Sequence, residues 1–259
     1  MSNYTIYRKH LYINPNYDYI KSGNIKEFDM QAAGFNILRA KGMLSEKQVE
    51  FYSKLSKKER NIRLGLLMRG EKGRPYAKAK SEGLKEYRLR FFEENNIDEN
   101  KVIAIRSDAI FLVNSIVKKK KFDDFIVFRS KNNYSAYYQL NNISFLYNDV
   151  KDRLDIKGID DEYLELQKDY LLKDLKEIIK LNQISNRAAG EYLYKFADKY
   201  RKKKLDPEYY RELDKGLFRL KKLKINGNSI GTKVAPIDKI DIRYNYCKFI
   251  LPLINMIYW

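Results

Sequence analysis

The sequence predicts an α+β fold: an antiparallel sheet with helices on one face, followed by a mainly helical C-terminal region. Three observations carry this. Short apolar runs with strand character lie on both sides of a helix-rich interval, near residues 25–28 and again over residues 102–147. Two capping-box sequences, Ser45-Glu-Lys-Gln48 and Ser56-Lys-Lys-Glu59, open helices inside that interval. Near residue 150 the composition shifts to long stripes of helical spacing, so two domains are expected, residues 1–150 and 151–259.

Taken in order, residues 1–24 alternate aromatic and polar groups and contain the turn signal Asn14-Pro15-Asn16. Residues 25–28 read as a strand ending at Asp29, and residues 32–40 as a short helix stopped by Gly42. The first capped helix places Val49, Tyr52 and Leu55 on one face. The second places Ile62, Leu66 and Leu67 there, surrounded by Lys57, Lys58, Arg60 and Arg63. Residues 70–75 read as a basic loop because of their glycines and Pro75, and residues 83–94 as a helix with Leu84, Tyr87 and Phe91 at helical spacing. Residues 102–105 form a strand that residues 109–113 continue or pair back on. Residues 125–129 and 134–140 read as a hairpin around Ser130-Lys-Asn-Asn133, with a third strand over 143–147. Helices follow over 160–181 and 185–200, and a further one from Asp206-Pro207, where proline suits a first turn. Residues 224–238 read as loop, and residues 240–251 as either strand or helix.

Lys and Arg number 52 against 34 Asp and Glu, a net charge of +18. Such an excess points to a polyanionic partner, nucleic acid before an anionic membrane surface. An AT-rich genome also favours Lys, Asn, Ile and Tyr, which explains abundant lysine but not its excess over acids. The Lys, Asn and Tyr usage and compact size fit a viral protein. Cys247 is the single cysteine, which excludes an internal disulfide and fits a reducing compartment. His10 is the single histidine, which argues against a structural zinc site and a histidine-based triad. No signal peptide, membrane span or membrane partner is expected, and the cytoplasm (of a host cell, for a viral protein) is the expected location.

The most apolar strand-like run, residues 102–112, carries a carboxylate in its middle, Asp108, and a second such run, residues 26–38, has Asp29 near its start. Buried carboxylates are costly unless paired or bound to metal. If the two runs are neighbours, Asp29 and Asp108 face each other. Two carboxylates that bridge divalent ions about 4 Å apart are the apparatus of metal-dependent nucleotidyl transfer, and hard oxygen ligands suit Mg2+. Each acid also has a plain structural reading: Asp29 as a helix N-cap, Asp108 as a turn cap or a partner of Arg106.

Three segments resemble motifs of the family B DNA polymerases. Asp29-Met-Gln-Ala-Ala-Gly-Phe-Asn-Ile-Leu38 is similar to motif A, Asp-x-x-Ser-Leu-Tyr-Pro-Ser-Ile. Ile103-Ala-Ile-Arg-Ser-Asp-Ala-Ile-Phe-Leu112 is similar to motif C, Tyr-x-Asp-Thr-Asp-Ser-Ile-Phe, with Arg106 in place of its first acid and Asp108 as its second. Lys57-Lys-Glu-Arg-Asn61-Ile-Arg-Leu-Gly65 resembles motif B, Lys-x-x-x-Asn-Ser-x-Tyr-Gly, with Leu64 where tyrosine belongs. Lys131 to Tyr134 resembles the Lys-Lys-Tyr segment that contacts primer.

The resemblance implies a minimal palm-like sheet in the first domain and a thumb-like helical second domain. It implies Asp29 and Asp108 as catalytic metal ligands for Mg2+. Lys57, Arg60 and Arg63 would meet a triphosphate, and Asn61 and Gly65 the nascent base pair. Nucleic acid, DNA rather than RNA, would lie along Lys118, Lys119, Lys120, Lys121, Lys131, Tyr134, Arg201, Lys202, Lys203 and Lys204. The space between Asp29 and Lys57 lacks the fingers that this family inserts, which leaves room for a partner subunit. The competing readings are a non-catalytic basic DNA- or RNA-binding protein and a viral structural or interaction protein.

Overall fold

The computed structural model describes residues 4–158 and 171–205 and the short segments 213–214, 219–220, 223–225, 228–230 and 251–258. The chain divides into two compact units. One comprises Met1–Asn14 and Asn24–Asn133; the other comprises Pro15–Gly23 and Tyr134–Trp259. Residue 150, the boundary expected from composition, lies inside the second unit.

The first unit is built on strands β1 (Leu11–Ile13), β3 (Ile25–Met30), β4 (Val102–Arg106), β5 (Ala109–Val113) and β6 (Phe128–Tyr134), in the spatial order β1-β4-β5-β3-β6; β2 (Tyr19–Ile20) belongs to the second unit. Between β3 and β4 the chain forms helices α1 (Ala33–Ala40), α2 (Glu46–Lys54), α3 (Lys57–Leu67) and α4 (Gly70–Asn95). Both capping boxes form, with Ser45 Oγ accepting from the Gln48 amide and Ser56 Oγ from the Glu59 amide. Gly42 stops α1 with a left-handed φ of +64°.

The stripe Leu84, Tyr87 and Phe91 on α4 is buried against the sheet, with Phe28 and Met30 of β3, Ile105 of β4, and Ile110 and Leu112 of β5. Phe91 is its centre, with ring centroids 5.5 Å from Phe28 and 4.6 Å from Phe128. A smaller apolar cluster joins Phe35 and Leu38 of α1 to Tyr52 of α2 and Leu64 of α3.

Two expectations are corrected here. Residues 70–75 are not a loop: they form the first turns of α4, a helix of 26 residues with Pro75 inside it. Pro75, the sixth residue, forfeits the one backbone bond that its amide would have made to the Glu71 carbonyl, and the helix runs on past it. The glycine at 73 is there for contact. A Cβ on it would stand 2.4 Å from the Met68 carbonyl carbon and 2.7 Å from the Leu67 oxygen. The expected hairpin around Ser130-Lys-Asn-Asn133 is also absent. Residues 128–134 continue as one strand, whose run of polar, largely exposed residues from 129 to 133 fits a sheet edge.

The second unit opens on an antiparallel sheet of order β2-β7-β8-β9, with β7 at Ala136–Leu140, β8 at Ile143–Asn148 and β9 at Arg153–Lys157. Its helices α5 (Leu171–Ile184) and α6 (Asn186–Arg201) form a hairpin in which Ser185 caps α6 by accepting from the Ala188 amide at 3.0 Å. Tyr19 Oη donates to Asn182 Oδ1 at 2.7 Å, which ties β2 to α5. Two small hairpins, β10 (Leu213–Asp214) with β11 (Arg219–Leu220) and β12 (Leu223–Ile225) with β13 (Asn228–Ile230), precede α7 (Leu251–Tyr258). The helix expected from Asp206-Pro207, the first part of the 160–181 helix and most of 240–251 lie outside the described residues. Among the described residues no helix is long and apolar enough to cross a membrane.

Gly73→Ala should cost about 1–3 kcal/mol, because the clash is with fixed backbone rather than with a side chain that can turn away. The helix-propensity gain of alanine, about 1 kcal/mol, offsets only part of it. Urea unfolding checks this: an unchanged or raised midpoint would show that the α3–α4 junction yields.

Candidate active site

The β3–β5 register decides where the two candidate acids meet. Asp29, at the end of β3, pairs with Ala109, the first residue of β5. Asp108 is the residue before Ala109, in the two-residue turn that joins β4 to β5 between the partners Arg106 and Ala109. Ser107 begins that turn with a φ of +53°, the hand that tight hairpins require. The Met30 amide donates to the Asp108 carbonyl at 3.2 Å and fixes the turn against β3.

Asp108 is half-buried, and its carboxyl pKa is raised above the ordinary carboxylate value, first by burial and then by the negative charge of Asp29. Lys80 and Lys131 oppose the shift. Arg106, which stands where the polymerase motif has an acid, is not among the charges that act on Asp108 most. It lies in register with Leu11 on one side and Ala109 on the other, two strands and about 10 Å of sheet from Asp29.

Asp29 is not a helix cap. The N-cap of α1 is Ala32, in the left-handed region at φ +47°, and no side chain caps that helix. A left-handed alanine costs about 1 kcal/mol or more, and it turns the chain from β3 into α1 directly after Asp29.

Asp29 and Asp108 line a cleft of ≈ 560 Å³. From α3 come Lys57, Arg60, Asn61, Leu64 and Gly65; from α4 comes Lys80, and from β6 Arg129. Four cations thus surround two acids. The Arg60 guanidinium lies over the Phe35 ring at 5.6 Å, and its buried Nε makes no hydrogen bond. A Cβ added at Gly65 would meet nothing within 4 Å, so the cleft is open at that point.

Lys131 closes the acidic side. Its Nζ is 3.6 Å from Asp29 Oδ2 and 3.6 Å from Glu27 Oε1. Burial alone would lower its pKa, but Glu27 and Asp29 outweigh that and hold it above the ordinary lysine value. Glu27 is 1% exposed, and Asn132 Nδ2 donates to its Oε2 at 2.7 Å.

Of the expected site residues, the fold therefore gathers Asp29, Asp108, Lys57, Arg60, Asn61 and Gly65 around one cleft, with Lys131 bonded to Asp29. Arg63 points elsewhere, over the Phe51 ring at 5.2 Å. Lys118 and Lys119 donate backbone amides to Asn95 Oδ1, Lys119 pairs with Glu94, and Lys121 lies 3.6 Å from Asp124. Lys120 is exposed and its carbonyl accepts from the Phe128 amide. In the second unit, Tyr134 is buried and donates to Asp155 at 2.9 Å. Arg201, Lys202, Lys203 and Lys204 are exposed at the end of α6, and Lys202 Nζ is 2.9 Å from Asp198. Glu27, Lys80 and Arg129 were missed from sequence. Glu27 was readable, since residues two apart on a strand face the same way.

The raised Asp108 pKa has a stability consequence with a definite sign. The protonated form is favoured in the folded chain, so its contribution is fully present below the ordinary carboxylate pKa of about 3.9 and is lost as pH rises through the folded value. Asp108→Asn should therefore raise the Tm at pH 7. The gain should shrink toward zero as the buffer is acidified to pH 4 and below; a gain that grows on acidification would contradict it.

No curated protein matches the chain. The family of the bacteriophage PBS1 gene 130 protein matches residues 1–258 of the 259, which accords with the viral character of the composition. Sequence and match together place the chain as a member of the bacteriophage PBS1 gene 130 protein family.

Proposed function

We propose that the protein is a small palm-type nucleotidyltransferase that extends primed DNA in a metal-dependent reaction in the host cell during infection. The observation that carries this reading is the juxtaposition of Asp29 and Asp108 at adjoining strand ends, in a cleft whose other charged residues are all cations.

The donor set fits a hard divalent cation. Two carboxylates, one raised in pKa by burial and then by the other, gain from an ion that neutralises both. Among the described residues no group of three or more His, Cys, Asp or Glu gathers into a complete cage, so substrate phosphates and water would complete the shell, as Mg2+ commonly requires. When bound, Mg2+ would supply Lewis-acid activation of the attacking hydroxyl and charge neutralisation at the triphosphate. Lys57 and Arg60, which line the cleft, would meet the triphosphate oxygens. The open space at Gly65, beside Asn61, would take the base. Lys131 would have to leave Asp29 and could then turn to a backbone phosphate. The exposed lysines of residues 118–121 and 201–204 would add sequence-independent, salt-dependent grip.

The Lys131 ion pair also favours a second reading, a DNA-binding protein without catalysis, in which the lysine permanently fills the place of a cation.

Primer extension with Mg2+ separates the two. On the first reading Asp29→Asn and Asp108→Asn each lower incorporation by about a hundredfold or more, since a metal's contribution amounts to several kcal/mol. Binding of the same DNA persists. Incorporation that is absent under all divalent ions, or that survives in Asp108→Asn, defeats the proposal. A thermal-shift titration adds an independent check. Mg2+ should raise the Tm saturably in the wild type, at lower concentration in Lys131→Met, and not at all in Asp108→Asn.

A further inference from the structure

A second cavity of ≈ 390 Å³ lies on the other side of Lys80, Leu84 and Ser107 from the two-acid cleft, toward the segment before β1. Its polar lining is Arg8, His10, Lys80, Ser81, Lys85, Arg88 and Ser107, over an apolar base that includes Met68 and Leu84. No Asp or Glu lines it.

Arg88 is the unusual member. It is 1% exposed, yet no carboxylate lies within ion-pair distance of it among the described residues; its Nε donates to the Leu84 carbonyl at 3.2 Å and its Nη1 to the Lys9 carbonyl. A buried guanidinium has five donors, so two carbonyl acceptors leave most of its capacity unused. Burial pulls its pKa down to about 10, and Asp108, which lines the neighbouring cleft, is the charge that most opposes this. Lys80 and Lys85 also make no ion pair among the described residues, although Glu86, beside Lys85, pairs with Lys41. Some cations elsewhere in the same unit find acids, Lys119 with Glu94 and Lys131 with Glu27 and Asp29. Here the chain concentrates cations and withholds acids, at a cost that an anion would offset.

We propose that this cavity is a phosphate-binding site for nucleotides, in which Arg88 and Lys85 hold the phosphate and Arg8 and His10 stand at its rim. Guanidinium and ammonium donors with hydroxyls from Ser81 and Ser107 suit a tetrahedral oxyanion. The volume exceeds a single phosphate, and the apolar base from Met68 and Leu84 leaves room for the sugar or base attached to it. The phosphate could come from a free mononucleotide or from a strand that carries phosphodiesters. The site does not depend on catalysis at Asp29 and Asp108.

The test leaves Arg88 in place, since its removal could unfold the core, and uses Arg8→Gln/Lys85→Gln in the full chain. The comparison is Lys47→Gln/Lys101→Gln, an equal loss of charge at exposed lysines outside both cavities. Binding of dAMP is measured by calorimetry, and that of a labelled single-stranded oligodeoxynucleotide by fluorescence anisotropy. The first pair should weaken binding by about tenfold or more and the second pair by no more than about threefold. Loss with both probes assigns the site to phosphate monoesters; loss with the oligonucleotide alone assigns it to strand phosphodiesters. Equal weakening by the two pairs, or wild-type binding in Arg8→Gln/Lys85→Gln, overturns the site. Both probes are read without added divalent ion, and primer extension is read separately, so failed primer extension and a failed phosphate site give different results.

Discussion

The antiparallel pairing of β3 with β5 is the constraint on which the cleft depends. Phe28 and Met30 must enter the core beneath α4, and strand alternation then sends Glu27 and Asp29 to the opposite face. A slip of one residue would bury the acids among Phe91 and its neighbours and expose the phenylalanine. The position of Asp29 is thus dictated by the apolar residues on either side of it. Once Asp29 stands opposite Ala109, the tight turn of the β4–β5 hairpin leaves Asp108 no place except beside it.

Two carboxylates held together in a half-buried place raise the energy of the folded chain, and a stable fold tolerates this only with compensation nearby. Compensation comes from two directions. Lys131 bridges Glu27 and Asp29 from β6, and Lys80 acts on Asp108 from α4. Neither lysine pairs with a further acid among the described residues. The net charge of +18 adds a positive potential at longer range.

Much of the fold was legible in the sequence. The two capping boxes, the apolar stripe of α4 and the strands on either side of Asp108 follow from local rules, and the structure has all of them. What was illegible depended on distant partners. Gly70 to Pro75 has the composition of a loop, yet Gly73 serves close approach to Met68, a contact that no local pattern announces. Ser130-Lys-Asn-Asn133 has the composition of a turn, yet it is an edge strand, where polar residues are tolerated because one side faces no neighbouring strand. The site divides in the same way. Asp29 and Asp108 stood out as acids within apolar runs. Arg88 did not, although Lys80, Leu84 and Arg88 are spaced four apart and so share one face of α4.

The division of the chain bears on how it is made. β2, a strand of two residues near the N-terminus, completes the sheet of the second unit by pairing with Tyr137 and Tyr138. During synthesis it emerges long before those partners, while β3 and the helices that follow it are already available to one another. The first unit must therefore close around a loop, residues 15–23, that it does not itself employ, and hold it out until β7 arrives. A ribosome stalled after Asn133 would carry an almost complete first unit with a strand edge awaiting a sheet not yet translated. The waiting edge is short, which keeps small the area through which a nascent chain could pair with the wrong neighbour.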